Sequence, residues 1–314
     1  MPQEKQKRLY TSYNEYLQRM FGCRVYKVSV DAGFTCPNRD GTKGFGGCIF
    51  CDETGSSSRT HLLTTPIKEQ ILGNIKVRKS RYKAKKFIVY FQSYTNTYGS
   101  VEHLKTLYDE ALDVHPDIVG LAISTRPDCV NKEKLELIAS CREKVPYVCV
   151  EYGMQTRHNR TLKTINRCEA HVDFLHAIQL TKDCNLDNCV HIILGLPGET
   201  REEQLKTADT LAKLKVGGIK IHLLVAMENT PLASLYHTGK WSPLSFEEYI
   251  ALACDFIERL HPECVIHRVS GNGHPEHIVA PQWMIGNKKG IMSSIQSTLI
   301  ERGTQQGSKC RHTD

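Results

Sequence analysis

Residues 25–51 read VYKVSVDAGFTCPNRDGTKGFGGCIFC, a β-branched run that gives way at once to a glycine-rich loop. The run 25–30 has the composition of a strand, and the loop that leaves it carries Cys36, Cys48 and Cys51. Such a loop can wrap three thiolates around one inorganic centre. The spacing C-x11-C-x2-C supplies three protein ligands, which leaves a further coordination position for a small molecule. That open position favours an enzyme over a structural metal module.

Outward from this stretch, short β-branched runs precede more polar helical patterns repeatedly. Runs at 86–91, 118–124, 147–151, 189–194 and 219–224 join 25–30 as candidate strands. Between them, 101–112, 132–141 and 202–215 repeat apolar residues at three- and four-residue intervals, the pattern of amphipathic helices. This order predicts an α/β architecture, a partial (β/α)6 TIM-like barrel whose strand carboxyl ends face the ligands. A doubly wound open sheet is the alternative. Residues 245–260 read as a helix, 265–270 as a short strand and 288–301 as a last helix, together a C-terminal α/β extension. The expected organisation is an N-terminal extension (1–24), a barrel core (25–230), a C-terminal closure (231–302) and a flexible tail (303–314).

The chain has 314 residues, 40% of them hydrophobic, enough for one large core or two modest ones. It contains no apolar run of about 18 residues, so no membrane partner is expected. The amino-terminal MPQEKQKRLYTSY lacks a secretory segment, and the 13 cysteines lack the density of a disulfide scaffold, which points to a reducing, cytoplasmic compartment. A net charge of +7, with basic runs at 76–86 and at Lys288 and Lys289, favours an anionic partner such as nucleic acid. The same runs also fit solvated helix faces. Tyr90, Phe91, Tyr94 and Tyr98 fit core packing and pocket lining better than a stacking platform for single-stranded RNA.

Three chemistries compete for the cysteine loop. Cys48-x2-Cys51 is a common zinc half-site, which would need Cys36 and another side chain, with His61 nearest in sequence. A nucleophilic thiol is a second reading, but three clustered cysteines favour shared metal ligation over three separate tasks. A [4Fe–4S] cluster accounts best for the open position, because three thiolates hold three irons and leave one available.

The segment GFTCPNRDGTKGFGGCIFC resembles the YtqA/YhcC-like branch of the radical S-adenosylmethionine superfamily, and the resemblance continues through YFQSYTNTY, STRPDC, VEYGMQT, LKTINR, IILGLPGET and KIHLL. The superfamily's usual cysteine spacing is shorter, and the long first interval is a feature of this branch. These motifs also resemble the radical domain of the Elongator catalytic subunit, with no counterpart to its acetyltransferase domain. The resemblance implies that Cys36, Cys48 and Cys51 hold a [4Fe–4S] cluster whose unique iron binds S-adenosyl-L-methionine. Reductive cleavage would then yield methionine and a 5'-deoxyadenosyl radical, with a reductase such as flavodoxin or ferredoxin supplying the electron.

It further implies cofactor contacts. Phe50 would face the adenine, or else pack the loop. Gln92 and Ser93 stand where the superfamily has a glycine-rich acidic turn against the methionyl ammonium. Thr125 and Gln155 would meet ribose hydroxyls, Glu151 would make a further polar contact, and Gly195 would allow a close turn near the adenine. Arg167, twelve residues after Gln155, resembles the arginine that clamps the methionyl carboxylate. Arg126 and Asp128 read as an ion pair that orders their loop. Tyr94, Asn96, Tyr98, His222, Glu228, His267 and Arg268 are candidate substrate contacts, with turn satisfaction or packing as the ordinary reading of each.

The implied reaction remodels the 5-position side chain of a tRNA wobble uridine, from carboxymethylaminomethyl toward aminomethyl, with basic runs holding tRNA phosphates. The alternatives are radical modification of a small metabolite or peptide, or a non-catalytic iron–sulfur or zinc RNA-binding protein.

Overall fold

The computed structural model describes residues 8–52, 55, 65–271 and 275–311. Its centre is a seven-stranded, all-parallel sheet built from β1 (Val25–Val30), β2 (Lys86–Phe91), β3 (Ile118–Thr125), β4 (Tyr147–Gln155), β5 (Asp187–Leu194), β6 (Gly218–Leu223) and β8 (Val265–Arg268). They stand side by side in that order, the arrangement that a chain of β–helix–β crossovers produces. The short strand of the expected extension is thus the seventh member of the same sheet. A two-stranded antiparallel pair, β7 (Ala226–Met227) with β9 (Ile278–Ala280), lies outside it.

Helices α2 (Ile67–Tyr82), α3 (Val101–Leu112), α4 (Lys132–Ser140), α5 (Asn159–Thr164), α6 (His171–Asp183) and α7 (Arg201–Lys213) connect the strands, and α8 (Pro231–His237) and α9 (Phe246–Arg259) lie between β7 and β8. The basic run 76–86 falls mostly on α2, whose inner face buries Ile71 and Ile75 while Lys79 pairs with Asp117. Each strand alternates. Val28, Val30, Val89, Phe91, Leu121 and Ile123 face the helices, whereas Val25, Ile88, Ala122, Tyr147, Cys149 and Cys189 face inward. α1 (Tyr13–Phe21) inserts Leu17 into this inward cluster, at the strands' amino ends. A capping box starts it, Ser12 and Glu15 reciprocally satisfying backbone N–H groups.

The carboxyl-terminal segment corrects one expectation. Instead of trailing free, described residues 303–311 follow α10 (Lys288–Glu301) back onto the body. The Gln306 amide reaches the carbonyls of His261, Pro262 and Cys264 at 2.7–3.0 Å, and its oxygen accepts from the Thr11 N–H at 2.9 Å. Lys309 meets the buried carboxylate of Glu258. A segment without apolar periodicity is therefore held by polar side-chain contacts, which periodicity does not report. No described helix is long and apolar enough to cross a membrane.

Candidate active site

The chain leaves β1 at Asp31 and crosses the strands' carboxyl ends as the cysteine loop. The loop is tied mainly to the turn after α5. The Asn166 amide donates to the Gly47 carbonyl at 2.8 Å and the Phe45 carbonyl at 3.2 Å, Asn38 donates to the Asn166 carbonyl at 2.5 Å, and Ile49 N–H donates to the Ile165 carbonyl at 3.1 Å. Gly47 has φ +77°, which favours glycine, and a Cβ there would lie 3.0 Å from Arg39 Nε, so that the Arg39 side chain would have to shift. Tyr98 bonds the Thr42 hydroxyl at 2.8 Å and Lys43 bonds Asp128 at 2.6 Å, fixing the loop's far side. Tyr98 therefore positions the loop and does not line the cavity.

Cys36, Cys48 and Cys51 are free thiols that share one wall of a cavity of about 570 Å³ at the strands' carboxyl ends. A single tetrahedral zinc, about 2.3 Å from each sulfur, would hold sulfur pairs about 3.8 Å apart. These three sulfurs are not all within 4.8 Å of one another; among the described residues, only Glu151, Cys189 and His267 form such a compact set. The three sulfurs thus do not form the compact set that a single ion would hold. His61, the fourth zinc ligand considered above, lies outside the described residues. Burial, with Cys48 next, pushes the Cys51 thiol up to about 12. Three thiolates there need a cationic centre among them, as an iron–sulfur cluster provides.

Phe50, Gln92, Thr125, Gln155 and Arg167 all reach the cavity. Gly153, which sequence reasoning passed over, makes room for two of them. A Cβ there would lie 2.7 Å from Gln155 Nε2 and 3.1 Å from the Arg167 guanidinium, which donates to the Gly153 carbonyl at 2.6 Å. Arg167 also bonds Glu169 at 2.7 Å and approaches Cys48 Sγ at 3.6 Å. Arg126 and Asp128 form a buried two-pronged pair, both contacts at 2.8 Å, as expected. Arg39, also unanticipated, lines the cavity, donates to the Cys51 and Asp52 carbonyls and lies over the Tyr94 ring.

Other expected contacts sit elsewhere. Ser93 is buried away from the cavity wall. Gly195 is also behind it: its N–H donates to Gln204, its carbonyl accepts from Trp241, and Leu244 occupies the space beside its α-carbon. The Asn96 amide is consumed by the Phe91 and Ser124 carbonyls at 3.2 and 2.9 Å, the turn-satisfying role. Glu228 faces outward and pairs with His277 at 2.8 Å. His267 stacks on Tyr13 at 3.8 Å below the cavity. Of the candidate substrate contacts, Tyr94, His222 and Arg268 line the cavity.

Glu151 is the clearest correction. Its side chain is 0% exposed and does not reach the cavity, because Lys27 and Lys220 close on it from β1 and β6 and His191 bonds it at 2.9 Å. Those cations hold its carboxyl well below the usual range despite burial. The same two ammonium groups argue against a metal at Glu151, Cys189 and His267. This polar layer is the cavity floor, with Lys220, His191 and His222 lining it from below. Burial, then the charge of Lys220, pulls His191 down to about 4, and burial pulls His222 well below its ordinary value.

Comparison with known proteins shows the family of the chain. The family described as the radical SAM superfamily matches residues 36–211, and the radical SAM C-terminal domain matches 216–301. The Bacillus subtilis protein YtqA is 38% identical over 311 residues, 98% of this chain and 94% of that protein. A protein named tRNA uridine(34) acetyltransferase from Methanocaldococcus infernus is 32% identical over 197 residues, 62% of this chain but 34% of its own length. The solved structure of the M. infernus archaeal Elp3 superposes with a TM-score of 0.69 at 17% identity, covering 90% of this chain and 64% of that one. That likeness is one of fold.

Proposed function

Because this chain belongs to the radical S-adenosylmethionine superfamily, an enzyme family that uses a [4Fe–4S] cluster and S-adenosylmethionine, we propose that it modifies the 5-position side chain of a tRNA wobble uridine. The observation that carries the tRNA reading is the similarity to tRNA uridine(34) acetyltransferase across 62% of the chain. The cavity supports it, being large enough for a nucleoside and carrying arginine, lysine and hydrogen-bonding side chains among apolar ones.

Cys36, Cys48 and Cys51 would hold the cluster, which with bound S-adenosylmethionine supplies a 5'-deoxyadenosyl radical. Phe50 would face the adenine, Thr125 and Gln155 would present hydrogen-bonding groups to the ribose, and Arg167 would offer a cation to the methionyl carboxylate. Gln92, on the same wall, would contribute at the methionyl ammonium. A flipped base entering from above would meet Tyr94.

The test is anaerobic incubation of the reconstituted protein with reductant, S-adenosylmethionine and tRNA bearing 5-carboxymethylaminomethyluridine, followed by nucleoside mass analysis. Conversion to 5-aminomethyluridine is expected, with one 5'-deoxyadenosine, one methionine and one glyoxylate per turnover: the two electrons lost at the carboxymethyl carbon match the two taken up in S-adenosylmethionine cleavage, and water hydrolyses the resulting imine; all are lost in Cys48→Ala. Cofactor cleavage with unchanged tRNA would redirect the assignment to a small metabolite or peptide. No cleavage despite a full cluster would leave a non-catalytic RNA-binding protein.

A further inference from the structure

The last strand of the sheet is irregular at one place. Ile219 pairs with Ile266, but the next residue of β6, Lys220, pairs with Arg268, so His267 is an extra residue. Ile266 belongs to the helix-facing core, and regular alternation would send Arg268 to that same side. The bulge turns it inward, onto the cavity wall beside Lys220. Gly218 makes room for this turn, since a Cβ there would lie 2.7 Å from His267 Nε2.

Two cations of the cavity have no carboxylate or carbonyl partner among the described residues, Arg78, which lies over the Tyr82 ring, and Arg268, which stands in register with Lys220. Arg126 has Asp128 and Glu169, Arg167 has Glu169, and Arg39 has two carbonyls. Lys220 shares Glu151 with Lys27, so one carboxylate faces two ammonium groups. Among the described residues, no carboxylate lies within ion-pair distance of Arg268. Burial pulls its guanidinium below the ordinary arginine value; burial and then the charge of Arg268 lower Lys288 on α10, and Arg268 adds to the burial-driven lowering of His222. A half-buried, unpaired guanidinium beside a surplus of positive charge is unfavourable unless an anion arrives to meet it.

We propose that Arg268, with Lys220 beside it in register, forms an anion subsite that binds a carboxylate carried by the substrate. The proposal rests on the uridine reading above and specifies which end of the side chain the floor recognises. A planar guanidinium takes a carboxylate through two parallel hydrogen bonds. Lys220 is buried at the cavity floor, so the subsite suits the tip of a side chain that points inward. The phosphodiester backbone of a polynucleotide would stay at the mouth.

Phenylglyoxal labelling of arginine in the cluster-loaded protein with S-adenosylmethionine bound, read at Arg268 by peptide mass analysis, tests this without a variant. The nucleoside 5-carboxymethylaminomethyluridine should slow labelling of Arg268 about tenfold, while 5-aminomethyluridine and inorganic phosphate at the same concentration should not. Equal protection by the aminomethyl nucleoside or by phosphate, or no protection by any carboxylate, overturns the subsite. N-methylglycine separates the two readings: protection by it and by neither nucleoside keeps the carboxylate subsite and overturns the uridine assignment. In turnover, Arg268→Gln should raise KM for the carboxylate-bearing tRNA about tenfold with a smaller change in kcat, and Arg268→Lys should recover part of the loss. A fall in kcat alone, with KM unchanged in both variants, would count against substrate binding at this residue.

Discussion

Lys27, Glu151, His191 and Lys220 place a polar layer in a barrel interior that is ordinarily filled by branched apolar side chains. Its members were partly legible. Lys27, Glu151 and Lys220 are single charges within apolar strands, all in the inward phase of the alternation. What one strand cannot report is that they meet, because that depends on register across non-adjacent strands. Glu151 consequently reads as a cofactor contact in sequence and is a partner of lysines in space. The layer predicts a pH dependence. His191 binds protons more weakly folded (about 4) than unfolded (about 6.5), so the unfolded state binds more protons between those values. Stability is therefore full above about pH 6.5 and falls as pH drops toward 4, by about 2 kcal/mol from His191 alone between pH 7 and 5. His222 and His267 act with the same sign. Glu151, whose carboxyl is held low, contributes stability above the ordinary glutamate range that is lost only at lower pH. Anaerobic urea titrations should show lower midpoints at pH 5 than at pH 7, and a shallower pH slope in His191→Gln. Equal slopes in the two proteins would refute this account.

At the scale of elements, the strand runs were readable because β-branched clusters and their alternation are local properties. The cysteine loop was readable as a ligand loop, but its fastening was not. Asn38 and Asn166 are separated by 128 positions, and nothing in either segment announces their pairing. The fastening predicts that Asn166→Ala removes two donors to the loop backbone, a loss of about 1–2 kcal/mol that falls on the loop. Faster iron release to a chelator is expected, with the barrel's far-ultraviolet circular dichroism unchanged; iron retention equal to wild type would exclude a positioning role. Gly47→Ala should impair cluster assembly more severely, since it meets both an unfavourable φ and Arg39. Iron content after anaerobic reconstitution, below half of wild type, is the expected reading. Gly153 carries a weaker sequence signal, a glycine inside a strand pattern, which marks a close approach of other groups. The bulge on β8 carries none, because an extra residue is defined only against the neighbouring strand.

For the whole molecule, the carboxyl-terminal segment shows how polar contacts can hold a chain end that apolar periodicity leaves unassigned. Removing 303–314 would strip the donors that Gln306 brings to the backbone and leave the buried Glu258 without Lys309. At about 1 kcal/mol for each lost hydrogen bond, a loss near 3 kcal/mol or more is expected, visible as a lower urea midpoint of the truncated protein. An unchanged midpoint would mean that the segment is dispensable for stability. By itself the sequence determined the order of strands and helices, the parallel architecture that this order requires, and the loop bearing three thiols, since each is written in neighbouring residues. Only the tertiary structure decided that Glu151 serves the floor, that Asn96 and Gly195 serve turns, and that Arg268 faces the cavity. Those outcomes depend on register, on a one-residue bulge and on contacts between strands far apart in the chain, where side chains meet only after the sheet has curled.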